Sequence, residues 1–201
     1  ATTAVANVND LPTGSVLIAG TPTQGQTLTA SNTLVDPDGL GTISYQWLRA
    51  GSAISGATAA TYTLVQADVG KAISVKASYT DALGTAESVT SSATSLAINV
   101  NDAPTGNVSI AGTPTQGQIL TASNTLVDSD GLGTISYQWL RAGSAITGAT
   151  GTTYMLVQAD VAQAISVTAS YTDGYGAVES VTSAATTAVA NVNDLPTGSV
   201  L

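Results

Sequence analysis

The acidic residues recur in two matching sets, and their type and spacing point to one kind of chemistry. The first set is Asp10, Asp36, Asp38, Asp68, Asp81 and Glu87, and the second is Asp102, Asp128, Asp130, Asp160, Asp173 and Glu179. A thirteenth acid, Asp194, lies where a third set would begin. Calcium takes about six to eight oxygen ligands from carboxylates, amides and carbonyls. These acids therefore suggest the binding of a hard divalent cation.

The composition excludes several other classes of chemistry. The 201 residues include no His and no Cys, with 4 Lys+Arg against 13 Asp+Glu and a formal net charge of −9. There is thus no Ser-His-Asp triad, thiol nucleophile, zinc site or disulfide. So few basic residues cannot neutralise a run of phosphates, and we expect no nucleic-acid partner. No segment reaches the ~18 apolar residues of a membrane span, so we expect no direct membrane insertion.

The two sets of acids belong to an internal repeat. The tetrapeptide Asn-Val-Asn-Asp occurs at 7–10, 99–102 and 191–194, which gives a period of 92 residues. A unit of this length has the size of a small domain, whereas solenoid repeats span ~20–50 residues. We therefore predict repeats at 7–98 and 99–190, the end of a preceding repeat at 1–6 and the start of another at 191–201. Alternatively, the fold units are split across these boundaries.

Within a repeat, the residue pattern is that of an all-β protein. Segments rich in Val, Ile, Thr and Tyr alternate with Gly, Pro, Asn and Asp, and Ile43, Tyr45 and Trp47 share one face by alternation. The pattern predicts strands at 15–20, 26–34, 43–50, 61–65, 72–80 and 86–97, with a short one near 52–55. About seven strands per repeat predict two tandem immunoglobulin-like antiparallel β-sandwich domains arranged end to end. We expect Trp47 and Trp139 in the cores.

Several segments carry a resemblance to known families. Trp47, followed by Ala-Asp-Val-Gly at 67–70, resembles the core Trp and the E–F corner of immunoglobulin domains, although Ala162 stands where the first repeat has Gly70. Residues 20–81 resemble the tandem extender repeats of bacterial RTX adhesins. The junction Asn-Val-Asn-Asp-(Leu/Ala)-Pro is similar to the linker of cadherins. The resemblance implies an extracellular protein of the bacterial cell surface, anchored at the outer membrane through other parts of the parent chain.

In a sandwich of this topology, three segments meet at one end: the N-terminal lead-in, the B–C loop and the F–G loop. Five of the six acids in each set lie in those segments, where their charges would repel one another unless a cation neutralised them. The predicted Ca²⁺ ligands are Asn9, Asp10, Asp36, Asp38, Asp81 and Glu87 in the first repeat, and Asn101, Asp102, Asp128, Asp130, Asp173 and Glu179 in the second.

Other interpretations of the acids stay open. Asp-Pro-Asp-Gly at 36–39 is also an ordinary turn sequence, so the acids could serve as turn formers alone. Magnesium is the weaker alternative to calcium, because it prefers a regular octahedron and keeps several waters. Asp68 belongs at the opposite end, where we expect a corner acid hydrogen-bonded to nearby backbone. The other interpretation of Asp68 is a ligand for the ion of the next linker.

These observations predict a mechanical function without enzymatic activity. Paired acids could suggest glycoside hydrolysis, but the same pair recurs in both repeats with no cleft-building segment. We predict spacer repeats of a large adhesin, rigidified by Ca²⁺ at interdomain linkers, that project a distal ligand-binding module away from the cell. The expected partners are neighbouring repeats of the same chain, and the chain should be monomeric. The alternative is an adhesive module that binds a ligand or makes homotypic cell–cell contacts. A small cluster of differences at 82–86 against 174–178 is where such a binding specialisation could lie.

Overall fold

The structure is a computed structural model that describes residues 8–193. The predicted end of a preceding repeat at 1–6 and Asp194, with the rest of the chain after it, lie outside the described residues. The chain divides into two compact domains, Ala1–Val100 and Asn101–Leu201. Between residues 8 and 193, no helix has the length and apolar character needed to cross a membrane.

Seven strands build the first domain as two antiparallel sheets. They are β1 (Val16–Ala19), β2 (Thr27–Asn32), β3 (Ser44–Arg49), β4 (Ser52–Ala53), β5 (Thr61–Thr63), β6 (Ile73–Thr80) and β7 (Ala86–Thr90). One sheet has the order β1-β2-β5 and the other β4-β3-β6-β7. A single 3₁₀ turn, Gln66–Asp68, connects β5 to β6. This is the arrangement of an immunoglobulin-like sandwich, and the predicted all-β fold is confirmed.

The second domain repeats this architecture strand for strand. Its strands are β8 (Val108–Ala111), β9 (Ile119–Asn124), β10 (Ser136–Arg141), β11 (Ser144–Ala145), β12 (Thr153–Met155), β13 (Ile165–Thr172) and β14 (Val178–Thr182). The sheet orders are β12-β9-β8 and β11-β10-β13-β14. A 3₁₀ turn, Gln158–Asp160, again follows the third strand of the smaller sheet.

The core of each domain follows from strand alternation. In β6, Val75, Ala77 and Tyr79 point inward and are buried, because successive side chains of a strand lie on opposite faces. The Trp47 side chain is fully buried, and its indole N–H donates to the carbonyl of Ala59 at 2.9 Å. Trp139 holds the equivalent place in the second domain and donates to the carbonyl of Gly151. The expectation of core tryptophans is confirmed.

The prediction of one long strand at 86–97 is wrong. Regular pairing ends at Thr90. Beyond it, the N–H groups of Ser91 and Thr94 still donate to backbone carbonyls of β6, and single parallel bridges join Ala97 to Val69 and Ile98 to Thr23. Hydroxyl side chains explain the interruption, since such side chains compete with the backbone for ladder hydrogen bonds. The hydroxyl of Ser91 accepts from the N–H of Val75 at 3.0 Å, and that of Thr94 accepts from the N–H of Ile73 at 3.1 Å.

Candidate cation site

Three segments meet at one end of the first domain, which we call the amino-terminal pole: residues 9–10, the loop 36–39 and the segment 81–87. The side-chain amide of Asn9 donates to Oε1 of Glu87 at 2.7 Å. The backbone N–H of Asp10 donates to Oδ2 of Asp38 at 2.8 Å. The lead-in is therefore attached both to the B–C loop and to the start of β7.

The same pole forms in the second domain from residues 101–102, 128–131 and 173–179. Asn101 donates to Oε1 of Glu179 at 2.7 Å, and the N–H of Asp102 donates to Oδ2 of Asp130 at 2.7 Å. Recurrence of both bonds shows that the 92-residue period extends to the contacts that place these acids.

Asp36 is a buried acid of the first pole. Its side chain is only 7% exposed. Oδ1 accepts from the N–H of Asp38 at 2.8 Å, and Oδ2 accepts from the phenol of Tyr79 at 2.5 Å. Asp128 makes the same two bonds in the second domain, with the N–H of Asp130 and the phenol of Tyr171. The hydrogen bond from the N–H of Asp38 to Asp36 is typical of a turn-forming Asp. The hydrogen bond from the phenol of Tyr79 connects this turn to the core.

Asp81 is bonded on one side only. Its Oδ1 accepts from the N–H groups of Leu83 at 2.9 Å and Thr85 at 2.8 Å. These backbone bonds, that of Thr85 foremost, hold the pKa of the Asp81 carboxyl below its usual value. Its Oδ2 has no hydrogen-bond partner, although Asp81 is buried and only 6% exposed. An ionised carboxylate with a buried, unpartnered oxygen is costly.

Asp173 repeats that arrangement in the second domain. Its Oδ1 accepts from the N–H groups of Tyr175 at 2.9 Å and Ala177 at 2.8 Å. Its Oδ2 is again without a hydrogen-bond partner, and the side chain is 7% exposed. The same orphaned oxygen thus occurs at the same place in both poles.

The pKa of the Tyr79 phenol is affected by the acids that lie near it. Burial is the main cause that raises the pKa of its phenol, followed by the hydrogen bond to Asp36 and then by the negative charges of Asp36, Glu87 and Asp81. Acids from two of the three segments, 36–39 and 81–87, therefore act on one phenol. Sequence reasoning overlooked Tyr79 and Tyr171 as parts of the pole. The available signal was their position, since each is the last inward residue of its strand and lies two residues before an Asp.

The predicted ligands lie at the same pole but do not form a preformed metal-coordination site. Within residues 8–193, no three acidic side chains are grouped closely enough to hold a metal ion. Asp10 and Asp102 contact their poles through the backbone N–H, which donates to Asp38 and to Asp130. A cation bound at Oδ2 of Asp81 or Asp173 would complete its shell with amide, carbonyl or water oxygens, which calcium accepts readily.

Asp68 lies apart from the pole. It is fully buried and accepts three hydrogen bonds, from Nε of Arg49 at 2.7 Å, the phenol of Tyr62 at 2.9 Å and the N–H of Val65 at 2.8 Å. The expectation of a corner acid bonded to nearby backbone is confirmed. Asp160 makes the matching bonds in the second domain, to Arg141, Tyr154 and Val157.

The two residues on either side of the domain boundary are each hydrogen-bonded within their own domain. The N–H of Val100, the last residue of the first domain, donates to the side-chain oxygen of Gln24 at 3.2 Å. The next residue, Asn101, donates to Glu179 of the second domain. Two successive residues are therefore bonded, each to its own domain.

The buried phenols predict a loss of stability at alkaline pH. Burial foremost raises the pKa values of Tyr79, Tyr171, Tyr62 and Tyr154 in the folded state, whereas the unfolded value is about 10. Their contribution is fully present below pH ~10 and is lost as the pH rises above it, because only the unfolded chain ionises there. Denaturant unfolding followed from neutral to alkaline pH should show a level region that ends near pH ~10. A decline that begins near neutrality would contradict this.

Comparison with known proteins gives structural similarities only. No family model matches the chain, and no curated protein matches it. The fibronectin(III)-like modules of CbhA from Clostridium thermocellum are 21% identical, with 92% of this chain and 100% of that chain covered and a TM-score of 0.31. Three N-terminal domains of the highly immunogenic outer capsid protein of bacteriophage RB49 are 16% identical, with 85% and 58% covered and a TM-score of 0.31.

A third similar structure is a tetra-tandem repeat from the extending region of a large adhesion protein. It is 19% identical to the chain, with 87% of this chain and 49% of that chain covered and a TM-score of 0.27. Similarities at this level do not indicate what the chain binds or does.

Proposed function

We propose that the two domains are spacer repeats of a bacterial surface adhesin of the RTX type, and that they hold a distal binding module away from the cell. The junction is the observation that carries this proposal. Val100 and Asn101 are successive residues, and each is hydrogen-bonded to its own domain. A spacer transmits distance only when its linkers are short and constrained, since flexible linkers behave as random coils.

We further propose that each amino-terminal pole binds Ca²⁺, with Asp81 and Asp173 as the central ligands. The buried, unpartnered Oδ2 atoms of these two carboxylates support this. Asp36, Asp38 and Glu87, with their copies in the second domain, would add negative charge around the ion. A bound cation would pair the orphaned oxygen and cancel the repulsion among the acids. Because it binds only the folded pole, calcium would stabilise the fold by mass action.

Thermal unfolding of the chain in excess EDTA and in millimolar calcium tests this proposal. Binding at ~100 times the dissociation constant stabilises by about 2.7 kcal/mol, and 1 kcal/mol shifts Tm by about 4–8 °C for a domain of this size. We therefore expect calcium to raise Tm by about 10 °C or more and magnesium to do much less. The matched control is the double variant Asp81→Asn, Asp173→Asn, which keeps the shape of both side chains and should lose the calcium increment.

Other outcomes would redirect the proposal. An unchanged Tm in calcium would rule out the proposed Ca²⁺ binding. The acids would then be turn formers of a metal-independent spacer. An equal rise in magnesium would indicate general charge screening. Solution scattering on the same samples measures whether the chain is extended, as a spacer requires.

A second candidate function is a homotypic or ligand-binding contact through the loop before the last strand. Leu83 is 60% exposed in the first domain, and Tyr175 and Val178 are 55% and 77% exposed in the second. Exposed apolar residues of this kind occur at contact surfaces. Sedimentation over a wide concentration range separates the candidates, because only a homotypic contact depends on concentration.

A further inference from the structure

The two poles differ in one backbone contact between their loops. In the first domain, the N–H of Ala82 donates to the carbonyl of Gly39 at 3.2 Å. In the second domain, the equivalent N–H of Gly174 donates to the carbonyl of Asp130 at 3.0 Å. Asp130 precedes Gly131, the counterpart of Gly39, so the contact is shifted by one residue. The loop that carries Asp173 is thus bonded directly to the backbone carbonyl of Asp130 in the other loop.

The shift follows from the side chain at this position. A Cβ on Gly174 would lie 2.6 Å from the carbonyl oxygen of Asp130, closer than Cβ atoms approach in practice. The φ of Gly174 is not in the left-handed region, so this glycine serves close approach rather than backbone conformation. Ala82 carries the methyl group that Gly174 lacks. The first domain therefore cannot form the closer contact without moving one of its loops.

The closer contact changes the surroundings of the acids. Asp130 is only 4% exposed, whereas its counterpart Asp38 is half-buried. Charges interact more strongly where water is excluded. The unpartnered Oδ2 of Asp173 belongs to the residue just before Gly174. The backbone bond thus fixes the loop that carries Asp173 against the loop that carries Asp130 before any ion arrives, and such preorganisation lowers the cost of binding.

We propose that the second pole binds a divalent cation more tightly than the first, and that residue 82 or 174 sets the difference. This inference rests on the proposed cation function of the poles. It addresses which of the two nearly identical poles binds the cation more tightly, and which residue causes the difference in affinity. One hydrogen bond of preorganisation corresponds to about a three- to tenfold difference in dissociation constant.

Other differences between the repeats must be separated from this one. Pro37 in the first loop is replaced by Ser129 in the second, and a proline that fits its conformation favours an ordered loop. That effect would act in the opposite direction, toward a better site in the first domain. A comparison of the two domains alone is therefore insufficient, and reciprocal substitutions at 82 and 174 isolate the proposed cause.

The experiment is a calorimetric titration of the whole chain with CaCl₂, beginning from metal-free protein. Asp81→Asn and Asp173→Asn assign each binding step to its domain, and we expect Asp173→Asn to remove the tighter one. Gly174→Ala should weaken the tighter step about three- to tenfold. Ala82→Gly should strengthen the weaker step by a similar factor. Because Ala82→Gly introduces no clash, it keeps the test valid even if Gly174→Ala disturbs folding.

The loop contact itself has a readout that needs no cation. In EDTA, NMR couplings across hydrogen bonds should connect the N–H of Gly174 with the carbonyl of Asp130, and the N–H of Ala82 with the carbonyl of Gly39. In the Ala82→Gly variant, the N–H of residue 82 should instead be coupled to the carbonyl of Asp38. If calcium produces no binding in any variant, the cation function and this inference both fail. If two steps of equal affinity appear and neither reciprocal substitution changes them, this inference alone is overturned. Loss of the weaker step in Asp173→Asn would overturn it as well.

Discussion

Substitution of Asp68 by Ala should strongly destabilise the first domain and leave the stability of the second unchanged. The fully buried carboxylate satisfies the guanidinium of Arg49, the phenol of Tyr62 and the N–H of Val65 at once. Its removal leaves all three donors without their acceptor. Breaking a buried ion pair from one side costs about 3–5 kcal/mol. Because a domain is stable by only about 5–15 kcal/mol in total, the loss is a large part of its stability.

Each domain contains one tryptophan, so the two can be followed separately. Denaturant unfolding in a Trp139→Phe background reports the first domain, and in a Trp47→Phe background the second. We expect Asp68→Ala to lower only the first midpoint and Asp160→Ala only the second. Thr61→Ala is an exposed control and should change stability by no more than about 0.5 kcal/mol. Equal shifts of both domains with either variant would contradict the separate cores.

The second large effect should come from Trp47→Ala. The Trp47 side chain is fully buried, and its ring centre lies 5.7 Å from that of Tyr62. Truncation creates a cavity and leaves the carbonyl of Ala59 without its indole donor. Large-to-small substitution of a buried Trp costs about 3–5 kcal/mol. We therefore expect a first domain that is largely unfolded at temperatures where the second stays native.

Trp47→Phe is the matched control for that variant. It keeps an aromatic ring in the core and loses the hydrogen bond to Ala59, so it should cost clearly less than Trp47→Ala. Amide hydrogen exchange distinguishes the domains without a fluorescent reporter, and protection should fall only in the first. Equal costs for the two variants would show that the indole hydrogen bond outweighs the packing of the ring.

Much of the fold could be predicted because the strands have a clear two-residue period. Alternation in 43–50 placed Trp47 on one face with Ile43 and Tyr45 and predicted it in the core, and Trp47 is buried. The last strand was mispredicted for a physical reason. Ser91 and Thr94 look compatible with a strand, but their hydroxyls take the place of backbone acceptors in the ladder. A propensity for strands cannot distinguish a hydroxyl that faces solvent from one that replaces a carbonyl.

The candidate site was predictable in outline and not in detail. Topology alone indicates that 36–39 and 81–87 lie at the same end as the lead-in, and the structure bonds Asn9 to Glu87 there. The phenol of Tyr79 on Asp36 depends on how far a side chain reaches from the core. The contact of Gly174 with Asp130 depends on a separation smaller than one methyl group allows. Neither distance is encoded in residue spacing.

The bonded residues at the junction also bear on how the chain would resist a protease. A protease must draw a stretch of backbone away from the fold into its active site, and it cleaves mainly where local opening is easy. Val100 is bonded to Gln24, and Asn101 to Glu179. The peptide bond between them cannot be presented for cleavage until the lead-in or the closing segment of a domain detaches. Cleavage at this bond should therefore depend on how easily that part of either domain opens.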